Sequence, residues 1–190
     1  MRQKSLAEKI KFYNPFNKIE RKKFKKLLKF ISNDGKIFSN NNLPGHITGS
    51  AWILNFQKTK VLLTHHVKLG IWIQLGGHAD GSKDILAVTQ REAEEESGLQ
   101  SLTLLSEKIF DLDVHTIPKR KNFPKHFHYD VRFLYEADEN EMLQISDESH
   151  DLKWVKLKNV NKYNNEPSIM RMVKKSRGNN LRNFLKKDKW

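Results

Sequence analysis

Three carboxylates carry the strongest chemical signal in this chain. Glu92, Glu95 and Glu96 lie in the run Arg91-Glu92-Ala93-Glu94-Glu95-Glu96, inside a segment that reads as a helix over residues 84–97 with Gly98 as its stop. Residues three and four apart are neighbours on a helical face, and like charges at that spacing destabilise the helix. A divalent cation would offset the repulsion. Mg²⁺ suits the role, with Mn²⁺ as the alternative, because it takes hard oxygen ligands, keeps several waters and bridges to phosphate oxygens. Taken alone, the run better fits a solvated acidic face, the commoner meaning of clustered glutamates.

The residues before the helix shift that balance. They run Gly77, five residues, Lys83, seven residues, then Arg91-Glu92-Ala93-Glu94-Glu95-Glu96-Ser97-Gly98-Leu99. This stretch resembles the Nudix box: glycine, five residues, Glu, seven residues, then Arg-Glu-apolar-any-Glu-Glu-any-Gly-apolar. The one departure is Lys83, which stands where the box has its first Glu, with Asp84 beside it. The resemblance covers residues 77–99 directly and, by layout, roughly residues 46–158. It implies an α/β/α sandwich in which the box folds as loop–helix–loop over a mixed sheet. It also implies roles. Glu95 and Glu96 match the paired metal ligands, and Glu92 a further ligand or base. Gly76 and Gly77 match glycines whose backbone carbonyl completes the metal site. Arg91 matches an arginine that braces the carboxylates by ion pairing. Lys83 cannot ligate a cation as an ammonium. Either Asp84 substitutes in part, or the site works with fewer carboxylates and lower metal affinity.

The implied reaction is hydrolysis of a diphosphate bridge. A divalent metal offsets charge developing on the phosphate oxygens, and a carboxylate activates water for in-line attack on phosphorus. The substrate class this suggests is a nucleoside diphosphate linked to another moiety. Two alternatives stand beside it: an RNA 5′-end pyrophosphohydrolase, and a nucleotide-binding protein that has kept the fold and lost activity. Lys83 is the only feature favouring the last.

Outside the box, Ser146-Asp147-Glu148-Ser149 precedes a late strand. In several Nudix enzymes a late loop supplies the catalytic base, and Glu148 is the candidate, with Asp147 as second choice; an exposed turn is the plainer reading. Lys125-His126-Phe127-His128-Tyr129-Asp130-Val131-Arg132 places His126, His128, Asp130 and Arg132 on one strand face by the two-residue period. If that face lines the cleft, His128 and Arg132 would hold substrate. His65, His66 and His78 lack strict metal-ligand spacing and read as hydrogen-bonding residues in loops.

These residues need a scaffold. Strand patterns fall at residues 50–56, 60–66, 71–74, 101–106, 107–114, 128–135 and 152–157, and helices at 17–32, 84–97 and 167–177. Residues 76–81 read as a glycine-punctuated loop, and Trp154 as a core residue. The mixture indicates an α+β or three-layer domain. In the first helix Phe24, Leu27, Leu28 and Ile31 form an apolar stripe, lysines fill much of the remainder, and Asn33-Asp34-Gly35 is its expected stop. We divide the chain into a basic helical extension packed on the core (residues 1–37), a hydrolase domain (38–160), and a basic C-terminal helix and tail (161–190) whose last dozen residues would fray.

The 190 residues carry a formal net charge of +13 and no cysteine. Disulfides, thiol nucleophiles and cysteine-ligated zinc are therefore excluded. Residues 1–37 hold 12 basic and 3 acidic side chains, residues 38–152 hold 11 and 17, and residues 153–190 hold 12 and 2. Basic ends around an acidic middle can attract polyanions such as RNA or an anionic membrane surface, or simply solubilise the chain. No apolar run is long enough to span a bilayer, and the first residues lack the apolar stretch of a secretory signal. The expected location is the cytoplasm.

Overall fold

In the computed structural model, which describes residues 5–32, 36–119 and 124–186, two long strands form the spine of one mixed sheet. β1 (Gly45–Asn55) and β7 (His126–Ala137) run parallel in unbroken register from Gly45↔Phe127 to Asn55↔Ala137. Every residue of β1 is buried, which requires cover on both faces. Alternate side chains therefore enter two different cores. Ile47, Ala51 and Ile53 of β1 join Val131, Phe133 and Tyr135 of β7 in the first; Trp52, Leu54 and Leu134 join the second.

The first core is closed by α1 (Leu6–Lys11), α2 (Lys18–Ile31) and α3 (Ile85–Ser97), chiefly through Leu6, Ile10, Leu27, Phe30, Ile85 and Ala93. The second is closed by α4 (Pro167–Lys175) and α5 (Gly178–Lys186) through Ile169, Met172, Val173 and Leu181. The result is a sheet between two helical layers, as the box resemblance implied.

The other strands are β2 (Lys60–His66), β3 (Ile71–Ile73), β4 (Leu75–His78), β5 (Thr103–Leu104), β6 (Asp111–Ile117) and β8 (Ser149–Lys156). All of them pair antiparallel. One edge of β1 pairs with β2 near its end, at Leu54↔Val61, and with β4 further back, from Thr48↔His78 to Ala51↔Leu75. The outer edge of β7 is likewise shared between β5 and β6. The sheet is thus split at both edges, and the N-terminal half of the β1–β7 spine is framed by β4 and β6.

Several elements differ from their sequence reading. Residues 75–78 form a strand, not a loop, because the buried backbone of β1 needs a partner from Thr48 to Ala51. Residues 178–186 form a helix rather than a frayed tail, since Leu181, Phe184 and Leu185 pack on the second core. The inward face of α2 centres on Leu27 and Phe30, and Leu28 is left 40% exposed. Phe30 stacks on Tyr129 with ring centroids 3.9 Å apart, which rotates the helix away from Leu28. Trp154 is half-buried against the first core. The expected stop at Asn33-Asp34-Gly35 lies outside the described residues; the cap of α2 is Ser32.

A buried ionic network ties these layers together. Asp111 of β6 is fully buried. It accepts from Arg171 Nε at 2.8 Å and Nη2 at 2.7 Å, from Lys175 Nζ at 2.6 Å and from Arg132 Nη1 at 3.1 Å. Lys175 also reaches Glu20 at 2.6 Å, Arg132 pairs with Asp130 at 2.7 Å, and Asp113 pairs with Lys23 and Arg171. Four carboxylates (Glu20, Asp111, Asp113 and Asp130) thus meet four cations (Lys23, Arg132, Arg171 and Lys175) at the junction of α2, β6, β7 and α4. Burial alone would raise the Asp111 pKa, but Lys175, Arg171 and Arg132 outweigh it and hold the carboxyl well below its usual range. A depressed folded pKa gives stability that is present above the unfolded value of roughly 4 and is lost as pH falls below it. Asp111→Asn keeps the volume and leaves three cations under-compensated. It should cost about 3–5 kcal/mol in urea unfolding at neutral pH, and the variant should lose less stability than the parent between about pH 4 and pH 2. A variant as stable as the parent would show that the network does not hold the layers together.

Candidate active site

Helix α3 starts at an N-cap, Asp84, whose side chain accepts from the Ala87 N–H at 3.1 Å. It ends at Gly98 in the left-handed region, φ 71°. Between these ends it lies close on β1 and β4. A Cβ on Gly49 would sit 2.7 Å from Thr89 Oγ1, so the glycine sets the depth of docking. On β4, Gly76 has φ +148°, and a Cβ there would meet the backbone of Gly49 and Ser50.

This contact delivers the carboxylates. The space a Cβ on Gly77 would need is filled by the Glu92 carboxylate, and the Gly76 N–H donates to Glu96 Oε1 at 3.2 Å. Arg91 forks between Glu92 at 2.6 Å and Glu95 at 2.9 Å. Burial pushes the Glu96 pKa up to about 8, against the Gly76 hydrogen bond and with help from Glu92, Glu148 and Glu95. Burial also raises Glu92, which Arg91 partly offsets. Glu92, Glu95, Glu96 and the Gly77 carbonyl are hard oxygen donors, whose chemistry suits a divalent cation; among the described residues the three carboxylates do not themselves converge to ligand spacing. Lys83 is exposed at the start of the helix. The Asp84 carboxylate serves as the helix cap, a geometry that favours a site with fewer carboxylates.

Beside Gly76 and Gly77 opens a cleft of about 570 Å³. Its floor is the polar face of the spine. His126, His128, Asp130 and Arg132 do share one face, with His128 beside His46 on β1 and beside His115 on β6. The stripe then divides. His126 and His128 line the cleft. Arg132, 3% exposed, is paired to Asp130 and Asp111. It is not placed to meet substrate, because those buried carboxylates need its charge. Asp130 in turn accepts from Ser50 at 2.7 Å, Thr48 at 3.1 Å and Gln74 at 3.3 Å. Glu148 lines the rim, exposed, with Lys68 Nζ 3.4 Å away; Asp147 is exposed beside it. His65 and His66 lie on β2 and His78 on β4, in strands rather than loops.

Sequence reading missed Asn40, His46 and Gln74. Asn40 Oδ1, both ring nitrogens of His46 and Gln74 Oε1 are buried without a hydrogen-bond partner, and all three residues line the cleft. Among the described residues, the one further such side-chain atom is Trp154 Nε1. Buried polar atoms left unpaired in one place call for a water, an ion or a ligand group to meet them. Burial, with His78 and His126 nearby, holds the His46 pKa down to about 4. Burial and the surrounding histidines hold His128 down to about 2. Both rings are therefore neutral at neutral pH. The signal for His46 was the alternation His46-Ile47-Thr48-Gly49-Ser50, legible once β1 is begun at Gly45 instead of Ser50.

Residues 46–175 match the family model of the NUDIX domain. The chain belongs to the Nudix family. Nudix proteins are pyrophosphohydrolases that generally need a divalent metal, and the carboxylates on α3 are the part of this Nudix chain suited to hold one. Among solved structures it is similar to an Ap4A hydrolase of C. elegans in a binary complex, at 18% identity over 74% of this chain and 97% of that one, TM-score 0.56. It is similar to a NUDIX-family hydrolase from Clostridium perfringens at 27% identity over 69% and 95%, TM-score 0.52. A third likeness is to RenU, a Nudix hydrolase from M. smegmatis, at 18% identity over 83% and 98%, TM-score 0.51. No curated protein sequence matches the chain.

The packing of Gly77 against Glu92 gives a direct test. Gly77→Ala must push the Glu92 carboxylate aside, and a misplacement of about 1 Å in a catalytic group can cost on the order of 100-fold in rate. We expect turnover to fall by about that factor, with an unfolding midpoint close to that of the parent. Unchanged turnover would show that Glu92 does not act from this position.

Proposed function

We propose that the chain hydrolyses the pyrophosphate bond of a nucleoside diphosphate linked to another moiety, with Mg²⁺ as its metal and Mn²⁺ as the alternative. The observation that carries this reading is the cleft lined by Gly76 and Gly77, the two glycines that meet Glu96 and Glu92, with unpaired buried polar atoms at its wall. Glu92, Glu95, Glu96 and the Gly77 carbonyl would hold the metal, which when bound supplies positive charge against the negative charge developing in phosphoryl transfer. Asn40 and Gln74 carbonyl oxygens can accept from base or ribose donors. His46 and His128, neutral, can donate a ring N–H to phosphate oxygens. Glu148 stands on the rim as the group to take a proton from the attacking water. Arg91 keeps Glu92 and Glu95 aligned, with the Asp80 carboxylate a further 3.9 Å neighbour. We assign the activity to the cytoplasm, where nucleotide derivatives are met; among the described residues, no helix is long and apolar enough to cross a membrane.

The test is phosphate release from nucleotide sugars, dinucleotides, nucleoside triphosphates and capped RNA with Mg²⁺ or Mn²⁺. Glu95→Gln and Glu96→Gln should each cut turnover of the best substrate by orders of magnitude and weaken metal binding. Glu148→Gln should lower kcat by about 100-fold or more with little change in KM, as loss of a general base does. Parent-like rates in all three would remove the assignment. A parent with no activity on any substrate would favour the binding protein that Lys83 raised.

A second reading, hydrolysis at an RNA 5′ end, is favoured by one observation: Lys22, Lys25, Lys26 and Lys29 are all exposed on α2. If they track a single strand, RNA affinity measured by fluorescence anisotropy should fall with salt. Changing all four to Gln should flatten the log–log slope by about three units. Absence of binding at low salt would leave the small nucleotide as substrate.

A further inference from the structure

Five histidines crowd the cleft floor. His128 has ring centroids of His46, His78, His126 and His115 at 4.7, 5.1, 5.2 and 5.4 Å. We propose that three of them, His46, His78 and His128, form a site for one divalent transition metal of the zinc class, separate from the carboxylate site on α3 and open to the same cleft.

The topology brings these three together. β1 is flanked by β4 on one side and β7 on the other, with Thr48↔His78 and His46↔His128 in register. Side chains directly opposite one another share a sheet face, so three strands each offer one imidazole to one point. One ligand nitrogen from each lies within 4.8 Å of the other two. His78 Nε2 and His128 Nε2 are already 3.4 Å apart. A tetrahedral ion with metal–nitrogen bonds of roughly 2.0–2.1 Å has ligand–ligand edges of about 3.3 Å. That pair thus stands at ligand spacing, and ring rotation through about 1.5 Å or less completes the set.

His46 is the independent observation. It is 1% exposed, and the hydrogen-bonding group that acts on its ring, the Asn42 backbone, falls outside full hydrogen-bond geometry. A plain hydrogen bond between His78 and His128 would account for those two and still leave a buried His46 nitrogen without a partner, at the cost of an unsatisfied polar group. A metal ion uses a lone pair from each. The other two histidines have partners of their own: His126 Nδ1 lies 2.9 Å from the Pro124 carbonyl oxygen, and His115 Nδ1 lies 3.6 Å from Asp113. The ligand set is therefore the three and not the five.

Donor chemistry separates this site from the first. Imidazole nitrogen suits Zn²⁺, Cu²⁺, Ni²⁺ and Fe²⁺, whereas carboxylate and carbonyl oxygen suit Mg²⁺ and Mn²⁺. Three protein ligands also leave a fourth position, as in zinc sites that bind water or substrate. Here that position faces the cleft, where a phosphate oxygen could occupy it.

The experiment is calorimetric Zn²⁺ titration of the metal-stripped full chain, made without a histidine tag, in excess Mg²⁺ so that the carboxylates compete for the wrong ion. One equivalent should bind. His78→Ala and His128→Ala should each weaken it by about 100-fold or more, while Glu95→Gln leaves it unchanged. Co²⁺ in place of Zn²⁺ should give the visible absorption of a four-coordinate nitrogen site in the parent and lose it in His78→Ala. Should His128→Ala fail to fold, His78→Ala decides, since it leaves β1 and β7 untouched, and its circular dichroism and metal-free melting should match the parent. No stoichiometric Zn²⁺ in the presence of Mg²⁺, binding insensitive to His78→Ala, or binding lost in Glu95→Gln would each overturn the proposal. Because the readout is metal binding rather than turnover, its failure is distinguishable from failure of the hydrolase reading.

Discussion

Asp111 has no contact with solvent, and a bare carboxylate in that position would be untenable. Its neutralisation requires Arg171 and Lys175 from α4 and Arg132 from β7 to converge on one point of β6. Lys175 cannot arrive there without also meeting Glu20 on α2. One buried charge therefore fixes the approach of two helices that stand far apart in sequence. Removing a single partner from such a group is much more costly than replacing the whole set by apolar residues, so the network specifies the arrangement more than it adds stability. It also fills the deep half of the polar sheet face. What remains of that face, towards the N-terminal ends of β1 and β7, is left open as the cleft.

The same network changes the meaning of the basic ends. By sequence they surround an acidic middle with a large excess of positive charge, and a polyanionic partner is the natural thought. Lys23, Arg171 and Lys175, however, belong to the interior ionic cluster, where they balance Glu20, Asp111 and Asp113. Attraction between ends and middle is in part the folding of the chain upon itself. The charge left for an external polyanion includes the outward row on α2 and the exposed basic residues of the C-terminal segment, such as Lys158, Lys174, Arg177 and Arg182, a smaller field than the net charge suggests.

Sequence was most informative where local rules decide the structure. The helix from Asp84 to Gly98 has its cap, its left-handed glycine and its carboxylate spacing written within fifteen residues, and its limits were readable; the Arg91 fork was implied by the box resemblance. Residues 75–78 were not. Their glycines signal a turn locally, but the unpaired edge of β1 demands a strand, and the glycines are there because Ser50 on one side and Glu92 on the other leave no room for a Cβ. The polar stripe on β7 was visible by period, whereas its division into a cleft half and a buried half was not. That division depends on Asp111, Arg171 and Lys175, which are remote in sequence from Arg132. His46 was lost to a strand begun five residues late.

The cleft joins two surfaces of different chemistry, and the spine explains why they adjoin. β4 sits on β1 through glycines, which lets α3 approach and present oxygen donors on one side. One residue beyond Gly77, the same strand turns His78 towards the sheet face that His46 and His128 already share. A shift of β4 by a single residue would exchange the two sides. It would point the residue at position 78 away from the other histidines and set a side chain where Glu92 now lies. The acidic cluster and the histidine cluster are thus consequences of one register, Thr48↔His78, and a shift of that register would disturb both.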